Sequence, residues 1–262
     1  MEIRSVSKAI RLLETLGREP GAVGVSELAR QVEMDKSSVS RMLRTLEQSG
    51  FVAQDPVTQR YTLGITLGIL GHKALRRIDL RSSARPTLER LAERTGECSH
   101  MAILADGRAF YVDQAAPDRG VIVDAPIGTL APLYCTALGK SLLAFQPLRI
   151  REAILAALAF EPFTRRTIRD RAALEGHLAQ VRRNRVAYDD EEFSIGVRCI
   201  AAPVFRHDGT VAGAIGVSGP SPRVTDDRMK DWEVLVRDEA AALSRRLGFE
   251  DDKAAGAIVG AD

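Results

Sequence analysis

The sequence predicts an α+β protein with a small N-terminal winged helix-turn-helix and a larger C-terminal domain built on an antiparallel sheet. Two short amphipathic segments followed by a hairpin, all before residue 64, predict the first part. Beyond residue 80, hairpin signals and helical segments alternate without a strand-helix-strand repeat, which favours an antiparallel sheet. The 262 residues are enough for two hydrophobic cores.

The composition is that of an ordinary globular protein, with 45% hydrophobic residues, 27% charged residues and a formal net charge of +2. No apolar stretch approaches the roughly 18 residues that a membrane-spanning helix needs, and the charged N-terminus has no signal-peptide core. We therefore expect a cytoplasmic protein. Three cysteines without a C-x-x-C pair argue against a disulfide framework and a structural zinc site, so no metal and no cofactor is expected.

Three helices and a hairpin are predicted in the N-terminal part. Apolar residues follow helical spacing from Val6 onward, and a second helix begins at Ser26, a good N-cap residue. In a third helix the apolar residues share one face, and Gly50 is placed to end that helix in a left-handed conformation. The runs 51–53 and 60–63 are then predicted as short strands around a turn.

A linker helix is predicted after the hairpin, where leucines repeat at helical spacing. Gly64, Gly68 and Gly71 are unusual there, because glycine costs about 1 kcal/mol relative to alanine in a helix interior. Either the backbone is closely approached at these positions or the helix bends. The predicted parts are residues 1–64 for the winged helix-turn-helix, 65–79 for the linker, 80–248 for the C-terminal domain and 249–262 for a disordered tail.

The C-terminal domain is predicted to combine hairpins with helices. Asp106-Gly107 and His207-Asp208-Gly209 are turn signals between strand-like runs, and Val121–Ala125 is rich enough in β-branched residues for a further strand. Thr225 is the expected N-cap of a long final helix whose apolar stripe includes Trp232. Further helices are predicted over residues 86–94, 137–145, 149–158 and 170–183.

The third helix carries side chains suited to reading duplex DNA. Its aliphatic face should pack on the first two helices while the opposite face enters a major groove. Arg41 and Arg44 are the expected base readers, because a bidentate arginine contact to guanine gives about 1 to 3 kcal/mol of discrimination. The candidate DNA-binding residues are Lys36, Ser37, Ser38, Ser40, Arg41, Arg44 and Arg60, of which Lys36 and Arg60 would contact backbone phosphates.

A three-helix interaction module with solvated serines and arginines is the other interpretation of this region. Residues 1–65 carry nine basic and eight acidic side chains, so the region offers little non-specific attraction to DNA. The order of elements, two paired helices and then a hairpin, favours DNA binding.

A catalytic role for the C-terminal domain has little support in its residues. The acidic run Asp189–Glu192 is predicted to be a solvated loop with one inward-facing carboxylate, because four consecutive acids cannot converge on one site. Gly216–Gly219 lacks the G-x-S-x-G spacing of a nucleophile elbow, and the four histidines are scattered. No catalytic residue is assigned. The alternatives are an enzyme with an N-terminal interaction module and a DNA-binding protein without a ligand.

A small-molecule pocket is the hypothesis we retain for the C-terminal domain. Cys199, Ser218 and one of the carboxylates lie on or beside three strand-like segments, which a sheet could gather around a polar ligand. Ser218 can donate and accept hydrogen bonds, Asp189 can accept from a hydroxyl, and Cys199 is a small, weakly polar wall residue.

The ordered motifs of the chain resemble those of the isocitrate lyase regulator (IclR) family of bacterial transcription factors. The resemblance covers about residues 5–248, and the order of individually weak motifs makes it specific. These motifs are Val6-x-x-Ala9-x-x-x-Leu13-Glu14, the segment 37–46, Tyr61-x-Leu63-Gly64, Thr136-Ala137-Leu138-Gly139-Lys140, Glu192-x-x-x-Gly196, Ala201-Ala202-Pro203-Val204 and Val217-Ser218-Gly219-Pro220.

The resemblance implies a winged helix-turn-helix joined by a linker helix to a GAF-like effector domain. It also implies a regulator that is not an enzyme, assembled as dimers or dimers of dimers on double-stranded, palindromic operator DNA. A small carboxylate or aromatic acid would bind in the C-terminal domain. By motif position, the effector-binding residues are Ala137, Leu138, Asp189, Val197, Cys199, Gly216 and Ser218.

The chain departs from the glyoxylate- and pyruvate-responsive pattern of that family. Gly216 stands where that pattern has a serine, and Leu138 stands where it has a smaller residue, so a two-carbon or three-carbon keto acid is not expected. Arg185 occupies the usual glycine position before Ala187, and we expect Asn184 to take the left-handed conformation instead. The expected function is a transcriptional regulator, more a repressor than an activator, whose operator affinity is modulated by a small, acidic metabolite.

Overall fold

The computed structural model describes residues 3–76, 79–117, 123 and 125–250. The chain divides into two compact units, residues 1–78 and 79–262, and each has its own hydrophobic core. No helix among the described residues is long and apolar enough to cross a membrane.

The first unit is a winged helix-turn-helix. Its elements are α1 (Arg4–Arg18), α2 (Val25–Gln31), α3 (Lys36–Gln48), β1 (Val52–Gln54), β2 (Tyr61–Leu63) and α4 (Ile65–Arg76). The first three helices turn their apolar stripes toward one another and bury Leu12, Leu28 and Leu43 completely. Strands β1 and β2 pair antiparallel, with Val52 opposite Leu63, and form the predicted hairpin.

The ends of α3 follow the predicted chemistry, whereas the start of α2 does not. The carboxylate of Asp35 accepts a hydrogen bond from the Ser38 backbone N–H at 2.8 Å, and Gly50 follows the helix with φ of +71°. The prediction that Ser26 caps α2 is wrong. Gly24 is the N-cap residue and no side chain caps the helix, because Val25 is already its first residue.

Close approach of the backbone explains one of the three glycines near α4. A Cβ at Gly64 would lie 2.1 Å from the Gly50 carbonyl oxygen, so a larger residue does not fit there. Gly68 and Gly71 lie within α4 and have no such neighbour. Residues 77 and 78, which belong to the predicted linker 65–79, lie outside the described residues.

An antiparallel sheet forms the framework of the second unit, as predicted. Its strands among the described residues are β3 (Cys98–Ala105), β4 (Arg108–Ala115), β5 (Leu130–Ala131), β6 (Ala187–Asp190), β7 (Val197–Phe205) and β8 (Val211–Pro220). Their order is β5-β4-β3-β8-β7-β6. The turn between β3 and β4 falls at Asp106 and Gly107, which both have positive φ, as a tight hairpin turn requires.

Helices cover both faces of this sheet. They are α5 (Asp79–Thr95), α6 (Ala137–Ala144), α7 (Leu148–Ala157), α8 (Arg171–Asn184) and α9 (Asp226–Arg246). Helices α5 and α9 lie on one face, where Ser99 bonds to Leu88 of α5 and Tyr188 bonds to Glu233 of α9. Helix α6 lies on the other face, and α8 packs against α6. Thr225 caps α9 as predicted.

Two backbone predictions in this unit are wrong. Helix α5 begins at Asp79 and runs through Pro86, which costs the helix one backbone hydrogen bond without ending it. Arg185, not Asn184, takes the left-handed conformation, with φ of +56°. Helix α8 continues through Asn184, and the Arg185 N–H then closes onto the Val181 carbonyl at 2.7 Å.

Two further predictions concern Val121–Ala125 and the C-terminal tail. The predicted strand Val121–Ala125 lies outside the described residues apart from positions 123 and 125, which belong to no strand. The predicted tail begins too early, because Phe249 is buried and its ring stacks on Phe205 at 4.9 Å. Residues 251–262 lie outside the described residues.

Candidate nucleic-acid interface and ligand cavity

Helix α3 separates an apolar face from a polar one, as predicted. Val39 and Leu43 are fully buried in the core of the first unit. The side chains of Lys36, Arg41 and Arg44 are exposed. Since these cations take no part in internal packing, they are free to meet an external polyanion.

The serines at the start of α3 are partly engaged within the helix. The Ser37 hydroxyl donates to Asp35 at 2.6 Å, and an Arg41 nitrogen lies 3.4 Å from the Ser38 hydroxyl. The bonds that Asp35 accepts from the Ser37 hydroxyl and the Ser38 backbone N–H hold the pKa of the Asp35 carboxyl well below its usual range. Ser37 therefore has only its acceptor lone pairs left for an external group.

Arg60 lies in the groove between α2, α3 and the hairpin, but it is tied to its own domain. Its guanidinium donates to the Ala22 carbonyl at 2.7 Å and to the Glu27 carboxylate at 3.0 Å. About half of the side chain stays exposed. The groove has a volume of about 640 Å³ and is also lined by Lys36, Ser40 and Arg44.

All seven residues assigned to effector binding line one cavity of about 160 Å³ in the second unit. The cavity lies between the sheet and the start of α6. The seven residues are Ala137, Leu138, Asp189, Val197, Cys199, Gly216 and Ser218. The structure also places there residues that sequence reasoning missed: Tyr111, Val123, Ala125, Thr136, Phe193, Ser194, Ile200 and Val217.

The polar wall of this cavity follows from strand register. Asp189 pairs with Cys199, and Cys199 pairs with Ser218, so three neighbouring strands present these side chains in one row. Asp189 and Ser218 are almost completely buried. Burial, together with the nearby Asp189 carboxylate, raises the pKa of the Cys199 thiol well above its usual range, so the thiol keeps its proton.

Asp189 is the acidic residue among the described lining residues of the cavity. One of its oxygens accepts hydrogen bonds from the backbone N–H groups of Glu192, at 2.8 Å, and Phe193, at 3.3 Å. These bonds favour the ionised form, but burial and the neighbouring Glu192 carboxylate oppose it more strongly and raise the pKa of Asp189 to about 7. Asp189 therefore exchanges a proton near neutral pH.

The acidic run contains two inward-facing carboxylates, which corrects the prediction of one in a solvated loop. Asp189 belongs to β6, and both Asp189 and Glu192 are buried. Glu192 can be buried because the Lys140 ammonium donates to both of its carboxylate oxygens, at 2.6 and 2.7 Å. The backbone carbonyl of Glu192 also accepts from Thr167 at 2.6 Å. Sequence reasoning recognised Lys140 only as part of a motif.

The glycine at position 216 is explained by space. A Cβ there would lie 2.4 Å from the Ile200 carbonyl oxygen and 2.8 Å from the Ala201 Cβ. A serine at this position would need the neighbouring strand to move. The missing hydroxyl noted in the sequence is therefore a consequence of how tightly β7 and β8 approach each other.

No group of three or more acidic, histidine or cysteine side chains within the described part of the chain is arranged to hold a metal ion. The cavity groups can hydrogen-bond a ligand and exchange a proton with it.

Two family models match the chain and together cover most of it. The IclR helix-turn-helix domain matches residues 5–56, and the C-terminal domain described as bacterial transcriptional regulator IclR matches residues 72–245. The second match alone covers more than half of the chain.

Named relatives match over about nine-tenths of their own length. The HTH-type transcriptional regulator BhcR of Paracoccus denitrificans is 36% identical, over 97% of this chain and 90% of its own. The transcriptional repressor IclR of Escherichia coli is 30% identical, over 94% of this chain and 91% of its own. Among solved structures, the IclR protein of Thermotoga maritima superposes with a TM-score of 0.78 at 30% identity, covering 95% of this chain and 100% of that one. The chain therefore belongs to the IclR family of bacterial transcriptional regulators.

Proposed function

We propose that this protein is a cytoplasmic, one-component transcriptional repressor that binds operator DNA through α3. Its affinity for the operator changes when a small organic acid occupies the cavity of the second unit. It acts by binding rather than by catalysis. The observation that carries the proposal is the polarity of α3, whose Val39 and Leu43 are buried while Arg41 and Arg44 are exposed.

The exposed face of α3 supports direct reading of bases. Arg41 and Arg44 are one helical turn apart, so both can enter the same groove. Each bidentate contact to guanine would add about 1 to 3 kcal/mol of discrimination. Lys36 and the Ser38 hydroxyl lie at the N-terminal end of the helix, where phosphate contacts position the protein without reading sequence. Arg60, already bound to Glu27, contributes one side of the groove and at most a shared phosphate contact.

A homodimer or a dimer of dimers is part of the proposal. Paired recognition helices must meet grooves about 34 Å apart, so a palindromic operator requires two copies. An effector that favours one spacing of the paired helices changes operator affinity through α4 and the residues that follow it. A coupling of about 1 to 3 kcal/mol would change that affinity roughly 5-fold to 150-fold.

The cavity supports the effector part of the proposal by its size and by its polar row. It is mostly apolar with a few convergent polar groups, which is the usual composition of a small-molecule site. The bound molecule has to be small, because a cavity of about 150 Å³ holds a molecule the size of benzene.

Footprinting on the DNA that flanks the protein's own gene tests operator binding. A protected palindrome supports the proposal, and absence of protection on any fragment contradicts it. Arg41→Ala and Arg44→Ala should lower the ratio of operator to random-DNA affinity about 5-fold or more each. Arg183→Ala, an exposed arginine of α8, is the matched control and should leave the ratio unchanged. Equal loss on both DNAs would instead make Arg41 and Arg44 phosphate contacts.

Thermal-shift screening against small organic acids tests the effector part separately. Binding raises the melting temperature of the second unit by mass action, and Ser218→Ala should reduce that rise. A protein that protects its operator but responds to no acid would be a DNA-binding protein without a ligand.

A further inference from the structure

The described lining of the cavity offers no positive charge to an acidic ligand. No lysine or arginine lies among its described lining residues. The Thr136 hydroxyl already donates to the Pro132 carbonyl at 2.6 Å. A ligand carboxylate buried here still needs a donor, because an unpaired buried charge is strongly unfavourable.

Tyr111 supplies a buried hydrogen-bond donor. Its side chain is nine-tenths buried, its ring meets His100 edge-on at 5.7 Å, and its hydroxyl hydrogen-bonds to no described residue. Burial raises the pKa of this hydroxyl, with Cys199 and Asp189 as nearby contributors, so it stays a donor at neutral pH. A buried hydroxyl that lines a cavity without a protein partner is an expected position for a ligand contact.

A β-bulge turns Tyr111 toward the cavity. His100 pairs with Gln114 and Met101 pairs with Asp113, but Ala102 pairs with Tyr111 rather than with Val112. The extra residue shifts the alternation of side chains by one position. In an unbroken strand, Val112 would face the cavity side, and Tyr111 would face α5 and α9. The strand departs from regular pairing at the one point that brings a phenol hydroxyl to the polar row.

The Asp189 carboxylate sets the second requirement on the ligand. One oxygen of Asp189 is occupied by two backbone N–H groups, which leaves the other for the cavity. When Asp189 is ionised, a second carboxylate placed there would be repelled, whereas a ligand hydroxyl could donate to it. The ligand that satisfies both walls carries an acid group and a hydroxyl a few bonds apart.

Building on the effector role proposed above, we infer that Tyr111 is a ligand-contacting residue whose hydroxyl donates to the carboxylate of a short hydroxy acid, while Asp189 accepts a hydrogen bond from the hydroxyl of that acid. Tyr111 thereby selects acids over neutral ligands, and Asp189 selects hydroxylated acids over plain ones.

Calorimetric titration of the full-length protein with lactate, propionate, 3-hydroxybutyrate and butyrate tests this inference. Each hydroxy acid is paired with the acid that lacks only its hydroxyl. We expect the hydroxy acids to bind more tightly than their partners, and Tyr111→Phe to weaken both hydroxy acids at least about tenfold, the usual weight of a hydrogen bond to a charged group.

Tyr134→Phe is the matched control, because Tyr134 is also buried and its hydroxyl donates to the Glu161 carbonyl at 2.8 Å, away from the cavity. This control should lose stability and keep its affinity for the acids. If Tyr111→Phe does not fold, the unchanged protein carries the test: the ring resonances of labelled Tyr111 should shift when lactate or 3-hydroxybutyrate is added.

The outcomes separate this inference from the proposed function. Acid binding that Ser218→Ala weakens and Tyr111→Phe leaves intact overturns the role of Tyr111 while the effector cavity stands. Equal affinities for the members of each pair overturn the hydroxy-acid class, and so does absence of binding by all four probes. Operator protection, which does not involve Tyr111, decides the DNA-binding function independently of these results.

Discussion

The Lys140 ammonium lies 2.6 and 2.7 Å from the two carboxylate oxygens of Glu192, and both side chains are buried. This pair joins α6 to the turn that follows β6. Because the Glu192 backbone N–H also donates to Asp189, the position of the cavity acid depends on an ion pair behind it. The pair therefore stabilises the cavity wall from outside the cavity.

We predict that Lys140→Met lowers the free energy of unfolding of the second unit by about 3 to 5 kcal/mol, because it leaves the Glu192 carboxylate buried without a partner. Urea unfolding followed by the fluorescence of Trp232, the single tryptophan of the chain, measures this in the second unit alone. The double variant Lys140→Met, Glu192→Leu removes both charges and should recover most of the loss. A Lys140→Met protein as stable as the unchanged one would show that the ion pair has no energetic role.

Asp189 should make the stability of the second unit depend on pH. Its folded pKa of about 7 lies above its ordinary value of 3.8, so the folded protein keeps a proton that the unfolded chain has lost between these values. We predict that the unchanged protein loses stability, relative to Asp189→Asn, as pH rises from about 4 to about 7, and that the difference is constant above this window.

The same Trp232 unfolding measurement, repeated across this pH range, checks the prediction. Asp231→Asn is the control, since Asp231 is exposed on α9. Parallel stability curves for the unchanged protein and Asp189→Asn would contradict a raised pKa in the folded state.

Introducing a serine at position 216, as in the glyoxylate- and pyruvate-responsive pattern, should destabilise the sheet rather than add a useful hydroxyl. The Cβ of Gly216→Ser would lie 2.4 Å from the Ile200 carbonyl oxygen, so β7 and β8 have to separate. We predict a loss of about 1 to 3 kcal/mol, as for other overpacked interiors, from the Trp232 unfolding curve. Gly176→Ser on α8 adds the same atoms where no atom lies within 4 Å and should change stability little.

Local chemistry made much of the fold predictable from the sequence. The Asp106-Gly107 turn, the Thr225 cap and the apolar face of α3 each depend on residues within a few positions of one another. The absence of strand-helix-strand repeats predicted an antiparallel sheet, but it did not predict the order of the strands. The full set of seven cavity residues was assigned from family motifs, because the sequence does not show how the strands pair. In the structure, the register of three neighbouring strands brings Asp189, Cys199 and Ser218 together.

Features that depend on distant residues were not predictable. Lys140 and Glu192 are 52 positions apart, so no local pattern indicates that two buried charges meet. Tyr111 faces the cavity only because of a bulge between β3 and β4, and a one-residue bulge is a property of paired strands rather than of either sequence. Asn184 was expected to be left-handed on residue preference, but helix α8 runs one residue further and places Arg185 there instead.

The glycines around α4 should respond in opposite directions to alanine. Gly64→Ala places a Cβ against the Gly50 carbonyl oxygen, so we predict a loss of about 1 to 3 kcal/mol in the first unit. Gly71→Ala adds a Cβ within α4 where no atom lies within 4 Å and should stabilise that helix by about 0.5 to 1 kcal/mol. Hydrogen exchange resolves the two effects, because exchange of the β1–β2 amides should become about 5-fold to 150-fold faster in the first variant while the α4 amides exchange more slowly in the second. If the β1–β2 amides exchange at the same rate in Gly64→Ala as in Gly71→Ala, the contact between Gly64 and Gly50 does not constrain the hairpin.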